Sequence, residues 1–191
     1  SKALAEREVL SAHRPGHLHC IALRPHLIWG PGDPHLIPRL IDRARSGRLR
    51  QVGRGDNRVD MVHIRNAASA HRLALESLEH PDSPAGGRAY FITNGEPVLL
   101  WPWIRNLLKA LDLKADFGRL PLPLAYAAGA VLERIYQLPG VHNEPPMTRF
   151  VALQLARHHT YDISAAKRDL GYQPRVSMSK GLEELIASSR N

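Results

Sequence analysis

Apolar residues along this chain follow two alternating patterns. One is the helical spacing of a segment with one buried face, and the other is a short unbroken apolar run of the kind a covered strand shows. Ala3, Leu4, Ala5, Val9 and Leu10, set among charged positions, predict a helix over 3–13 that Pro15-Gly16 ends. Cys20-Ile21-Ala22-Leu23 predicts a strand over 19–23. Its continuous apolarity predicts a sheet covered on both faces. A proline- and glycine-rich loop over 24–34 leads to a helix over 35–46, with Leu36, Ile37, Leu40, Ile41 and Ala44 on one stripe and Gly47 closing it.

Short extended pieces follow at 49–52 and 59–64, separated by the turn Gly53-Arg54-Gly55-Asp56-Asn57. An amphipathic helix over 66–79 precedes a Ser/Pro/Gly loop, and Arg88 to Thr93 predicts the next strand. Asn94 to Pro97 turns the chain into a helix over 101–111 with Trp103, Leu107, Leu108 and Leu111 inward. A second, mainly helical half comprises helices over 123–137, 147–156 (opened by Pro145-Pro146), 164–170 and 180–188, with an extended piece near His159 to Asp162 and a loop at Pro139-Gly140. This alternation predicts an α/β protein.

The 191 residues, 43% of them hydrophobic, suit a domain with a small lobe and a real core. The single cysteine rules out an intrachain disulfide and fits a reducing compartment. No secretory leader opens the chain, so the expected location is cytoplasmic. No segment reaches the ~20 apolar residues of a membrane span. The nearest, Leu120 to Leu138, is interrupted by Glu133-Arg134. It reads as a buried or substrate-covering helix, or alternatively as a surface helix that makes peripheral contact with lipid.

The net charge is +8, which raises nucleic acid as a partner. Arginines are dense only between Arg39 and Arg58, and no aromatic residue is interleaved there to stack on bases. That stretch reads as a solvated face, or as an anion site for a phosphorylated ligand. His17-x-His19 and His158-His159 have no cysteine or acid partner at ligand spacing, so they read as surface and turn histidines, and no metal is expected. There is no Gly-x-Ser-x-Gly elbow and no phosphate loop, which removes the serine hydrolase and P-loop nucleotidase classes.

Five groups of residues remain that carry chemistry or frame it. Ser1-Lys2-Ala3-x-Ala5-Glu6 begins a helix, and the strand after it ends in Arg24-Pro25-x-x-Ile28-Trp29-Gly30-Pro31-Gly32-Asp33. Downstream stand Arg58, Asp60, His63 and Asn66-Ala67-Ala68-x-Ala70-His71, then Phe91 to Pro97, and a tail from Tyr161 to Pro174. Ligands of open α/β sheets sit outside the carboxyl ends of the strands, where the Arg24–Asp33 loop lies.

Together these residues resemble the extended short-chain dehydrogenase/reductases, in the 3-beta-hydroxysteroid dehydrogenase-like branch. The segment Glu144-Pro145-Pro146-Met147-Thr148-Arg149-Phe150 is similar to bacterial 2-alkyl-3-oxoalkanoate reductases. The resemblance implies a Rossmann-like doubly wound sheet, here its C-terminal part, with a small, mainly helical substrate lobe. The division expected is 1–95 for the partial Rossmann-like region, with lobe insertions, and 96–191 for the lobe. It implies NAD or NADP, leaning to NADP, a hydrophobic 3-oxo or 3-hydroxy substrate such as a 2-alkyl-3-oxoalkanoate or a sterol, and a homodimer in the full-length protein.

In that family a tyrosine four residues before a lysine exchanges a proton with the substrate oxygen, and the lysine lowers the tyrosine pKa and meets the cofactor ribose. By resemblance Lys2 is this catalytic and cofactor-binding lysine. Pro25, His26 and Leu27 border the nicotinamide, and His26, Ile28, Trp29 and Arg58 edge the substrate. Arg65 stands where many members carry an acid, and His63 where many carry tyrosine. None of the five tyrosines lies four residues before a lysine, and no Gly-rich dinucleotide turn occurs. The expectation is therefore the second half of a reductase, inactive by itself. The alternatives are a non-catalytic remnant that binds a hydrophobic ligand, and a sugar-nucleotide epimerase or dehydratase with diphosphate at Arg58.

Overall fold

The computed structural model describes residues 2–80, 83–138 and 145–189. Helix α1 (Lys2–Ser11) leads to strand β1 (Ile21–Pro25), the short β2 (Ile28–Trp29) and helix α2 (Leu36–Arg45). Strands β3 (Gln51–Val52), β4 (Arg58–Val59) and β5 (Val62–His63) precede helix α3 (Ile64–Leu78) and strand β6 (Arg88–Ile92). Then come β7 (Val98–Leu99), α4 (Leu100–Ala110), β8 (Arg119–Leu120), α5 (Leu122–Ile135), α6 (Arg149–Ala156), α7 (Ser164–Leu170) and α8 (Met178–Ser189). The mixed α/β class read from the sequence is borne out.

Strands β1 and β6 pair in parallel, with Leu23 beside Tyr90 and Pro25 beside Ile92. A parallel neighbour requires a crossover, and α3, which packs on β1, supplies it. One face of the pair lies against α3 and α7, where Tyr90, Ile92, Ala70, Ala166 and Leu170 form a core with Val62 and Tyr172. On the other face Arg24 reaches Glu6 of α1. The sheet is thus covered only in part. Ile21, Ala22 and Leu23 remain half-buried and α1 contributes no buried residue, so the apolar run of β1 did not translate into burial on both faces.

A second core joins Trp29, Ile37, Val52, Val59 and Met61 to the buried side of α4 (Trp101, Trp103, Ile104, Leu107, Leu108), with Met178 and Leu185 of α8. Both cores draw residues from either side of position 95.

Local chemistry explains several boundaries. Asp33 accepts hydrogen bonds from the amides of His35 (2.8 Å), Leu36 (3.1 Å) and Ile37 (2.9 Å), so it satisfies amide donors that the start of α2 leaves without intrahelical partners. Thr148 caps α6 through the Val151 amide, so that helix begins at Arg149 rather than at 147. Gly171 ends α7 in the left-handed region at φ +63°. The predicted strand at 19–23 is displaced to 21–25. Strands β2 and β8 fall where a loop and no element were expected, because two residues carry no periodicity and only their partners, β5 and β3, define them.

Of the readings open for α5, a buried or substrate-covering helix or a surface helix, burial is the one the structure overturns. Only Ala125 and Gly129 are buried, while Leu124, Val131 and Ile135 are exposed. A Cβ on Gly129 would lie 2.6 Å from the Thr148 carbonyl carbon, so this glycine is what lets the start of α6 approach on one side; the other side stays open. Among the described residues no helix is long and apolar enough to cross a membrane. The loop at Pro139-Gly140, as well as Ser1 and Glu144, lie outside the described residues.

Candidate functional site

The loop after β1 is built from residues with few backbone options. Pro25 has no amide proton, and the His26 amide donates to the Ile92 carbonyl at 3.1 Å. Leu27 sits at φ +45°, a conformation that costs a bulky residue roughly 1 kcal/mol or more. Its carbonyl accepts from the Val62 amide at 3.2 Å, which holds the kink. The Leu27 amide makes no hydrogen bond among the described residues. A strained residue with a free donor therefore stands at the carboxyl end of a parallel strand, where α/β sheets place their ligands.

Helix α1 is held against this end of the sheet. The Arg24 guanidinium donates through Nε and Nη2 to the two carboxylate oxygens of Glu6, at 2.7 and 2.5 Å. This bidentate geometry is the strong form of such a pair, and it holds the Glu6 carboxyl below the usual carboxylate range. Lys2 is four residues before Glu6, so the two side chains lie on one face of α1. Lys2 is exposed and sits one turn from the clamp.

His26 is half-buried at the mouth of the loop. Its Nε2 lies 2.9 Å from Nδ1 of His159, and its ring centroid lies 4.7 Å from that of Tyr161. Tyr161 stacks on Phe91 at 4.4 Å, and the Arg24 guanidinium covers the Phe91 ring at 5.0 Å. The segment carrying His159 is docked on β4 by the paired backbone bonds His159 N–H to Arg58 carbonyl and Asp60 N–H to His159 carbonyl, each 3.0 Å. Asp60 Oδ2 accepts from the Tyr161 amide at 2.7 Å. Burial pushes the Asp60 carboxyl up, against the pull of that amide. Burial, followed by the nearby His159, drives the His26 imidazole down to about 4, so His26 is neutral at pH 7.

Beneath the loop, Trp29 is fully buried. Its ring meets His63 and Trp103 edge-on at 5.5 and 5.0 Å. His63 Nδ1 accepts from the Arg65 amide at 3.4 Å, while His63 Nε2 lies 3.8 Å from Glu184. Burial lowers the His63 imidazole, so it is a neutral ring facing a carboxylate rather than half of an ion pair; Glu184 pairs with Arg65 instead.

The structure thus brings Pro25, His26 and Leu27 together at the end of β1, with the helix of Lys2 clamped beside them. Ile28 is partly exposed next to them, and Trp29 is inside. Arg58 stands apart on β4, where its side chain is exposed and its amide donates to His158 Nδ1 at 3.0 Å. Nearby arginines serve local structure: Arg43 donates to the Pro146 carbonyl, Arg50 to the Gly47 and Leu49 carbonyls, and Arg54 pairs with Asp56. His71 is exposed on α3, and its Nδ1 lies 2.8 Å from the Ala67 carbonyl oxygen of its own helix.

Sequence reasoning missed His159, which it placed among surface and turn histidines; its neighbour His158 is indeed exposed. The only signal in the sequence was the adjacent extended piece, which docks on β4 and draws His159 under His26.

Residues 1–124 match the 3-beta hydroxysteroid dehydrogenase/isomerase family. The chain is 48% identical over 189 residues to a 2-alkyl-3-oxoalkanoate reductase of Stenotrophomonas maltophilia, covering 99% of this chain and 57% of that protein. It is 35% identical over 192 residues to the decarboxylating sterol-4-alpha-carboxylate 3-dehydrogenase of Mus musculus, covering 98% and 53% respectively. The fold is that of a double mutant of the dTDP-glucose 4,6-dehydratase DesIV from Streptomyces venezuelae, solved with NAD and DAU bound. That match has a TM-score of 0.67 at 20% identity and covers 100% of this chain and 49% of the other. The chain spans about half the length of the curated relatives it matches.

Proposed function

The chain belongs to the 3-beta hydroxysteroid dehydrogenase/isomerase family, and from that premise we propose that it supplies the lysine helix, the nicotinamide-edge loop and the substrate lobe of an oxidoreductase. The reaction is hydride transfer between NAD or NADP and a hydrophobic 3-oxo or 3-hydroxy compound, with a 2-alkyl-3-oxoalkanoate as the favoured substrate. The likeness to a reductase of that class supports the substrate. The Arg24–Glu6 clamp supports the site most directly, because it keeps the Lys2 face of α1 beside the loop that ends β1.

The residues present fit a nicotinamide edge. The unspent Leu27 amide is a fixed donor suited to a carboxamide oxygen, and Pro25 and the already bonded His26 amide leave it the only free donor of the three. When bound, the cofactor supplies or accepts the hydride. Lys2 would then meet the cofactor ribose and hold positive charge next to the proton-transferring group. His26 and Ile28 border the substrate, and Trp29 supports their loop from beneath. The exposed apolar side chains of α5, Leu124, Val131 and Ile135, offer a surface suited in character to an alkyl chain. Arg58 is a contact for an acidic substrate group.

The test is an assay of the full-length protein that carries this chain, with a 2-alkyl-3-oxoalkanoate and NADPH or NADH, following nicotinamide absorbance. Lys2→Met should lower kcat/KM on the order of a hundredfold or more. Unchanged turnover in that variant would overturn the assignment of Lys2, and absence of nicotinamide-dependent turnover with any 3-oxo acid would overturn the reaction.

A further inference from the structure

We propose that His159 is a positioning residue that locks His26 as its Nε2–H tautomer, so that the site presents a bare imidazole nitrogen to a hydroxyl or amide donor of the bound ligand. His26, His159 and the Gln154 carbonyl form a hydrogen-bonded chain of three groups. His159 Nε2 lies 2.8 Å from the Gln154 carbonyl oxygen. A carbonyl can only accept, so Nε2 of His159 carries the proton. A neutral His159 then has a lone pair on Nδ1. His26 Nε2, 2.9 Å from that lone pair, must be the donor. His26 Nδ1 is left without a proton, and it makes no hydrogen bond among the described residues.

The arrangement is specific in direction. A second proton on His159 would turn its Nδ1 into the donor and shift His26 to the Nδ1–H tautomer, so the direction drawn belongs to the neutral form of His159. The depressed basicity of His26 agrees with this. The Tyr161 ring packs on the His26 ring, and the bond from the His26 amide to the Ile92 carbonyl fixes the backbone that carries it. A bare nitrogen at this point attracts an O–H or N–H and repels a carboxylate, so the 3-hydroxy form of the ligand meets His26 through its hydroxyl and carries its acid group elsewhere. The location of the ligand rests on the oxidoreductase reading, whereas the tautomer does not.

The experiment is nitrogen-15 NMR on the imidazoles of the 191-residue chain. The expected result is His26 entirely as Nε2–H, with a slowly exchanging proton and a nitrogen–nitrogen coupling across the bond to His159. His159→Asn keeps an acceptor near the same place and should retain the tautomer while losing the coupling. His159→Phe should lose the slow exchange and let His26 relax to the tautomer mixture of free imidazole, with indole resonances of Trp101 and Trp103 reporting an intact core. Finding His26 with its proton on Nδ1, or unaltered exchange in folded His159→Phe, would overturn the lock. Addition of methyl 3-hydroxydecanoate should move the His26 Nδ1 resonance and methyl 3-oxodecanoate should not. Equal movement, or none with either ester, would overturn the donor assignment. Because no turnover is read, failure here is separable from failure of the oxidoreductase reading.

Discussion

The side-chain amide of Asn66 donates to Oδ1 of Asn94 at 2.8 Å in the buried interior, and both amides also donate to the Val176 carbonyl, at 2.8 and 3.0 Å. Asn66 Oδ1 accepts from the Arg175 and Val176 amides, and Asn94 Oδ1 accepts from the His63 amide. Two asparagines thus tie the start of α3, the end of β6 and the approach to α8 into one knot. A fully satisfied buried network of this kind orders the elements it joins, and a half-satisfied one is costly.

Asn66→Leu should therefore destabilise the chain by about 2–4 kcal/mol, since it leaves the Arg175 and Val176 amides without their acceptor and takes one of two side-chain donors from the Val176 carbonyl. Urea unfolding followed by circular dichroism measures this. A loss below about 1 kcal/mol would mean that the knot relaxes onto water.

Gly181 sets two effects against each other. Alanine is favoured over glycine inside a helix by up to about 1 kcal/mol. At this position the added Cβ would lie 2.8 Å from His63 Cδ2 and 2.9 Å from Trp29 Cη2, both on buried rings that lack room to move. Overpacking costs about 1–3 kcal/mol, so Gly181→Ala should be net destabilising despite its better helix propensity. A raised unfolding midpoint would show that α8 slides outward without loss.

Asp33→Ala removes the acceptor for three amides at the start of α2 and should cost about 1–2 kcal/mol, while Asp33→Asn should retain most of that stability. Equal losses in the two variants, read by thermal unfolding, would place the effect in charge rather than in hydrogen bonding.

The acid dependence of stability should carry a His26 component. Its folded-state basicity is depressed from 6.5 to about 4, so the unfolded chain binds the proton first as pH falls. The stabilisation is complete above pH 6.5 and is lost as pH falls from 6.5 towards 4. The groups facing the ring are His159, Tyr161 and, through His159, Asp60. His26→Gln should flatten the profile in that window. The buried His63 loses stability over the same acid side and should remain visible in the variant. An unchanged profile in His26→Gln would show that His26 titrates as a free imidazole.

Much of the site was legible before the fold was known, and for a definite reason. The loop from Arg24 to Asp33 is defined by prolines and glycines, whose backbone limits are carried by the residues themselves. Asp33 belonged to that motif, although its work at the α2 amides needed the structure to be seen. Trp29 shows the opposite case: the same motif placed it at the substrate edge, and in the structure it is wholly within the core against His63 and Trp103. Nothing in the spacing of a tryptophan after an isoleucine says which of the two faces inward when the strand is two residues long.

By itself, the sequence determined the alternation of strands and helices, the buried faces of α2 and α4, and the rigid turn after β1, because each is encoded within a few consecutive residues. The tertiary structure alone decided which polar groups meet. His26 and His159 are 133 residues apart, and Asn66 and Val176 are 110 apart. A hydrogen bond depends on distances of a few tenths of an ångström between groups that only long-range packing brings together, and hydrophobic periodicity is silent about such pairs. That is why the element pattern was open to reading and the histidine pair beside the loop was not.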